Sequence, residues 1–199
     1  MPAIISHDTG TDAAESLVYT SQPPVYTYTT SLISYALPPS QFVTPETPQV
    51  AVGAFIFTPP GTSPPKVLLL RRAATDSYPN LWEVPGGGAD PEDTTLLDAV
   101  AREALEESGL VAATIVEFLG TVEFGTSRGN WCIKYNFLVD VEEGEVTTNP
   151  AEHSDGRWFD LEEVRTLAVT TELMRESLVK AFERVEELRR SRGISDPVS

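Results

Sequence analysis

Apolar positions recur along this chain with two distinct periods. Residues 50–57 (VAVGAFIF) form an almost unbroken apolar run and predict a buried strand. A proline- and glycine-rich turn at 59–65 follows. Residues 66–71 (KVLLLR) then predict a second strand, so the two read as a hairpin. A long loop leads to LWEVPGGG, residues 81–88. Over 95–108 the period changes to that of a helix, and Gly109, a residue favoured just past a helix end, stops it. Further strands are predicted at 114–124 and 131–141, joined by the hairpin-like loop 125–130, and around 157–159. A short helix at 161–166 precedes a longer one at 172–190. In that helix Met174, Leu178, Ala181, Phe182, Val185 and Leu188 make one packing stripe, and Arg189 and Arg190 suit the negative end of its dipole. The pattern is that of a compact α/β domain, with no internal repeat.

The first 48 residues differ. They hold no lysine or arginine, the first basic residue being Lys66, and they are rich in serine, threonine, proline and tyrosine. About the first fifteen are expected to be disordered. Residues 31–42 are apolar enough to cover the sheet or to complete a homodimer. The expected organisation is an N-terminal arm over 1–48, partly disordered, a compact folded domain over 49–191, and a short tail over 192–199.

Charge narrows the partners. Thirty acidic residues against 14 basic ones give a net charge of −16, which repels nucleic-acid backbones and anionic membranes. A small anionic substrate stays compatible, because a bound divalent metal inverts the field locally. A single cysteine, Cys132, rules out an intramolecular disulfide and reads as a packing residue. There is no signal-like segment and no apolar stretch near the roughly 20 residues a membrane span needs. An intracellular, cytoplasmic protein is expected.

The informative stretch is GGGADPEDTTLLDAVAREALEESGL, residues 86–110. At about 100° per residue, Glu103, Glu106 and Glu107 project from one helical arc about 100° wide. Leu97, Val100, Ala101, Ala104 and Leu105 occupy a neighbouring face that can pack on a sheet. Like charges at these spacings cost a few tenths of a kcal/mol each, and only Arg102 is close enough to offset them. Clustered carboxylates are also what Mg²⁺ requires. Geometry alone leaves both a solvated acidic face and a metal site open.

Gly88 followed by Arg102-Glu103-Ala104-Leu105-Glu106-Glu107-Ser108-Gly109-Leu110 resembles the signature of the Nudix (MutT-like) pyrophosphohydrolases, with the spacing intact. The resemblance covers about residues 48–190. It implies an α/β/α sandwich with a mixed β-sheet and a catalytic loop–helix–loop. It also implies Mg²⁺ or Mn²⁺ as cofactor, held by Glu106 and Glu107, with Glu103 as ligand or base and Arg102 orienting a glutamate through an ion pair. Gly86, Gly87 and Gly88 would let backbone approach substrate or metal closely. The implied reaction is attack of water on one phosphorus of a pyrophosphate linkage in a small nucleotide-derived molecule such as ADP-ribose, a dinucleotide or a nucleoside triphosphate.

One position departs from the signature: a glutamate is expected at 94, where this chain has Thr94, with Glu92 and Asp93 just upstream. Either Thr94 or Thr95 would serve as helix N-cap. A further acidic group is expected from the loop beyond the box. Glu152 is the first candidate for a catalytic role, with Asp155 and His153 behind it, and a lone loop histidine is not expected to bind metal. Arg71, Arg72 and Trp82 are candidate substrate contacts. Trp82, Tyr78 and Trp131 suit stacking on a base, although such aromatics more often belong to the core. Thr94 motivates a second reading, a nucleotide-binding or regulatory protein with weakened catalysis. Inositol polyphosphates and capped RNA are disfavoured by the few basic residues.

Overall fold

The structure, a computed structural model, describes residues 16–19, 25–126 and 129–193. The expectations for the first fifteen residues and for the tail beyond 193 lie outside the described residues. In chain order the strands are β1 (Ser16–Tyr19), β2 (Tyr26–Thr29), β3 (Gln49–Ile56), β4 (Val67–Arg72), β5 (Trp82–Glu83), β6 (Ala112–Gly125), β7 (Trp131–Val141) and β8 (His153–Phe159). The α-helices are α1 (Leu96–Ser108), α2 (Leu161–Thr166) and α3 (Glu172–Ser191).

The strands form two sheets. A mixed five-stranded sheet runs β1-β2-β6-β7-β3, and an antiparallel three-stranded sheet runs β5-β4-β8. The apolar runs in β3 and β4 reflect burial on both faces. Val52, Ala54, Ile56, Leu68 and Leu70 enter a core shared with α1, whereas Phe55, Val67 and Leu69 enter a second core shared with α3. Helices therefore cover opposite sides, as in an α/β/α arrangement.

The expected hairpin between the first two of these strands forms only at its root. Phe57 bridges Val67, and the Thr58 amide donates to the Lys66 carbonyl at 2.8 Å. Beyond that point the strands part, because β3 has both edges taken. β7 pairs with it in parallel from Gln49↔Cys132 to Ile56↔Val139. On its other edge the Val52 and Ala54 amides donate to the carbonyls of Gly87 and Pro85 at 2.9 and 2.8 Å. This second edge fastens the glycine loop to the sheet.

α1 starts at Thr95, whose hydroxyl accepts from the Asp98 amide while Asp98 accepts from the Thr95 amide. It ends at Gly109, whose φ of 72° is the left-handed conformation a glycine adopts without strain. The arm is docked where it is described. β2 pairs in parallel with β6, Leu32 is buried, and the Tyr35 ring lies 4.7 Å from that of Phe118 and 5.3 Å from that of Phe137. The Tyr26 hydroxyl donates to Asp98 at 2.8 Å, and the Leu37 carbonyl accepts from the Leu96 amide at 2.8 Å, so the arm braces the start of α1. In α3, Leu178, Ala181 and Phe182 are buried, and Arg189 turns inward to donate to the Thr62 carbonyl at 2.7 Å. No helix of the described residues is long and apolar enough to cross a membrane.

Candidate active site

Packing of Leu97, Val100, Ala101 and Ala104 against the first core fixes the rotation of α1 and hence where its carboxylates point. Glu103 and Glu107 are each 7% exposed, facing the glycine loop, whereas the Glu106 side chain is 58% exposed at the rim. The Gly86 amide donates to Glu107 Oε2 at 2.6 Å. Gly86 has φ +150°, and a β-carbon there would sit 2.2 Å from the Val52 carbonyl oxygen; one on Gly87 would sit 2.8 Å from Glu103 Oε1. These two glycines let the loop pass between β3 and the carboxylates.

Burial pushes Glu107 up to about 7, against the opposing pull of the Gly86 amide and His153. Burial also raises Glu103, and Arg102 counteracts it. Arg102 is the local hub. Its guanidinium donates to both Asp93 oxygens at 3.0 and 2.9 Å, to Glu103 at 2.8 Å, to Glu106 at 3.1 Å and to the Gly88 carbonyl at 3.0 Å. The two-pronged contact with Asp93 is the strong, orientation-fixing form of this ion pair. Thr94 is exposed and Thr95 is the N-cap, so the carboxylate paired with Arg102 comes from Asp93, one residue earlier than the signature position. Thr94→Glu is therefore expected to leave the metal concentration for half-maximal rate unchanged. Asp93→Asn should lower the melting temperature instead, which thermal denaturation of the two variants would check.

The opposite wall comes from β8 and the loop before it. His153 is 2% exposed, with Nδ1 3.9 Å from Glu107 and Nε2 3.7 Å from Glu83; neither nitrogen has a hydrogen-bond partner among the described residues. Glu107, Glu152 and His153 offer ligand atoms that all lie within 4.8 Å of one another. A buried carboxylate and an exposed one beside an unpartnered imidazole are a donor set that fits a divalent cation. Glu83, 7% exposed, carries the opposite balance. Burial alone would raise it, but His153, Lys134 and Arg72 bring it below the ordinary carboxylate value.

Glu83 was not expected in the site, and His153 stood behind Glu152 as a catalytic candidate and was not expected as a metal ligand. The signals were the Glu-His pair ahead of a strand and the glutamate after Trp82, each readable only once β4 pairs with β5 and β8. A cavity of about 500 Å³ brings Glu103, Glu107, Glu152 and His153 together with Arg72, Gly87 and Gly88. Arg72 is held by ion pairs to Glu83 and to Asp76. Arg71, on the other face of β4, donates to the Asn80 carbonyl and lines no described cavity.

Trp82, anticipated at the substrate, is buried in the second core with its ring 4.8 Å from Phe159. The core claims it because β5 pairs with β4 and faces α3. Asp155 is paired with Arg157 at 2.7 Å. Cys132 is buried, as a packing cysteine should be, and burial raises its thiol. Tyr78 is exposed and lines a second, larger cleft, whereas Trp131 is exposed and lines neither.

Comparison with known proteins agrees with this geometry. The family model described as the NUDIX domain matches residues 47–181. An RNA pyrophosphohydrolase of Bartonella clarridgeiae is 29% identical over 143 residues, covering 60% of this chain and 80% of that protein. Among solved structures, the MutT protein of Methanosarcina mazei Go1 superposes with a TM-score of 0.58 at 25% identity, covering 73% of this chain and 97% of that one. The NUDIX domain of Shewanella oneidensis NrtR, solved with ADP ribose, gives a TM-score of 0.59 at 25% identity, with coverages of 78% and 97%. Glycine loop, carboxylate helix and sheet topology thus meet in one place with the family match, and the chain belongs to the Nudix family, hydrolases that act on pyrophosphate bonds and generally use divalent metals.

Proposed function

We propose that the protein hydrolyses the pyrophosphate linkage of a small nucleotide-derived molecule, such as ADP-ribose, a dinucleotide or a nucleoside triphosphate, with Mg²⁺ or Mn²⁺ as cofactor. The observation that carries this reading is the pair of buried carboxylates, Glu103 and Glu107, set against the glycine loop and facing Glu152 and His153. Two buried carboxylates this close are costly unless a cation compensates them.

Glu103 and Glu107, with Glu106 at the rim, are the proposed ligands. Bound there, a divalent cation would neutralise charge on the phosphate oxygens and make water more acidic. Arg102 holds Glu103 in place through its ties to Asp93 and the Gly88 carbonyl. Glu152, exposed and lining the same cavity, is the proposed acceptor of a proton from an attacking water. Arg72 lines the cavity with its guanidinium fixed by Glu83 and Asp76, so it meets a phosphate without first being ordered.

The binding-protein reading rested on Thr94, and the Asp93–Arg102 pairing removes that motive. The relatives' names raise RNA as a substrate, against which stands the net charge of −16. Initial rates should be measured for a panel of nucleoside diphosphate-linked compounds, nucleoside triphosphates and a 5′-triphosphorylated RNA, with Mg²⁺, with Mn²⁺ and with a chelator. Metal-dependent turnover of a small nucleotide compound, faster than that of the RNA, is expected. Preference for the RNA would overturn the substrate class, and absence of metal-dependent turnover on the whole panel would overturn the reading.

A further inference from the structure

Beside the carboxylate cavity lies a larger cleft of about 700 Å³. Arg72, Gly86, Gly87 and Gly88 line both, so the two are continuous. Four large apolar side chains stand exposed at this cleft: Val43 (43%), Tyr78 (53%), Phe124 (37%) and Leu173 (46%). They come from four separate parts of the chain, namely the arm, the β4–β5 connection, the end of β6 and the first turn of α3. Single exposed apolar residues need no explanation, but several converging on one concavity mark a binding surface.

We infer that Pro39, Ser40 and Val43 of the arm form a specificity-determining wall of this cleft, which with Phe124 and Leu173 holds the nucleobase of the substrate. This rests on the proposed hydrolysis of a nucleotide-derived compound. A pyrophosphate placed at the glycine loop directs the remainder of the molecule toward the adjoining cleft, which shares Gly86, Gly87 and Gly88 with the carboxylate cavity, and a planar, largely apolar ring suits these walls.

The wall is rigid enough to select. Pro39 is buried and a 3₁₀ turn at Pro39–Gln41 follows it. The Leu37 carbonyl accepts from the first residue of α1, and Phe42 stacks on Tyr35 at 6.2 Å. Yet this segment precedes residue 47, where the family match begins, so it is an addition to the matched domain rather than part of it.

The cleft also holds one buried polar group without a partner. Asn136 is 4% exposed, and its Oδ1 has no hydrogen bond among the described residues. Gly53 leaves room for that amide, since a β-carbon there would come within 2.5 Å of the same oxygen. An unmade buried hydrogen bond is costly, and an amino group on a base edge is the kind of donor that would satisfy it.

The test uses the full chain, with calorimetric titration of AMP, GMP, CMP, UMP and ribose 5-phosphate in the presence of Mg²⁺, on wild type, Val43→Asp and Val43→Ala. Wild type is expected to bind at least one nucleotide about tenfold more tightly than ribose 5-phosphate. Val43→Asp should abolish most of that difference and Val43→Ala part of it, with ribose 5-phosphate affinity unmoved. On the substrate that wild type hydrolyses best, Val43→Asp should raise KM about tenfold while kcat stays within about threefold, the signature of lost ground-state binding.

Nucleotide affinity unchanged in Val43→Asp, or no preference for nucleotides over ribose 5-phosphate in wild type, would overturn the wall. Should Val43→Asp fail to fold, Val43→Ala decides by the same comparison. A wild type that hydrolyses nothing in the substrate panel overturns the proposed reaction instead, and the nucleotide preference still decides the wall.

Discussion

Glu107→Gln is expected to lower the metal-dependent hydrolysis rate by about 10² or more, the scale on which a main electrostatic contributor to catalysis is lost. Glu107 is 7% exposed, burial lifts its pKa to about 7, and its carboxylate faces Glu152 and His153. As a ligand it supplies a full negative charge to a hard cation, which a neutral amide cannot replace. The same substitution removes a costly buried charge beside Glu103 while keeping an oxygen able to accept from the Gly86 amide. The metal-free variant should therefore melt at the wild-type temperature or slightly above it. Rate and melting temperature then move in opposite senses, which a damaged fold would not produce. Glu106→Gln, at the exposed rim, should act in the same direction with a smaller loss.

Arg102→Met is expected to do the reverse and lower both quantities. Arg102 is 22% exposed and binds Asp93, Glu103, Glu106 and the Gly88 carbonyl; the side chains of Asp93 and Glu103 are 6% and 9% exposed. Removing the cation leaves two nearly buried carboxylates facing one another without compensation. Loss of one partner from such a pair costs about 2–3 kcal/mol at this partial exposure. For a chain of this size that is a fall of roughly 5–10 °C in melting temperature. The rate should fall as well, because Glu103 and the Gly88 end of the loop lose their common anchor. Arg102→Lys should rescue little, since one ammonium cannot reproduce the two-pronged contact with Asp93. Full stability in Arg102→Lys would show that charge alone, without the guanidinium's geometry, is sufficient.

Local signals carried much of this structure. The threonine cap, the apolar face and Gly109 together located α1 to within a residue. The residue types in β7 marked that strand from end to end. Long-range pairing was less legible. Nothing in the apolar runs of β3 and β4 distinguishes a hairpin from two strands that part into separate sheets, because that choice depends on β7 and the glycine loop occupying both edges of β3. The same limit applies to the site. The box glutamates share one helix, so spacing alone set them side by side. His153 and Glu83 meet them only through pairing of β4 with β8 and β5. Trp82 follows the same rule in the other direction, since pairing of β5 draws it into the second core and away from the cleft. Asp93 replaces the glutamate expected at 94 because the turn before the Thr95 cap presents its side chain, and not that of Thr94, to Arg102.

The pH dependence of metal binding reports on Glu107 directly. Its pKa rises from 4.5 to about 7 on folding, so between those values the folded chain keeps a proton that the unfolded chain releases. Metal-free stability from this group is therefore highest below about pH 4.5 and is lost as the pH rises toward about 7. A cation must displace the same proton, so affinity should rise by about tenfold per pH unit below about 7 and level off above it. The decisive measurement is equilibrium Mn²⁺ binding by electron paramagnetic resonance, for wild type and Glu107→Gln, from pH 5.5 to 8. Wild type should show that rise and plateau. Glu107→Gln should bind at least about tenfold more weakly at pH 7.5 and lose the rise below pH 7. Equal affinity and an identical pH profile in the two proteins would contradict the placement of the metal at Glu107.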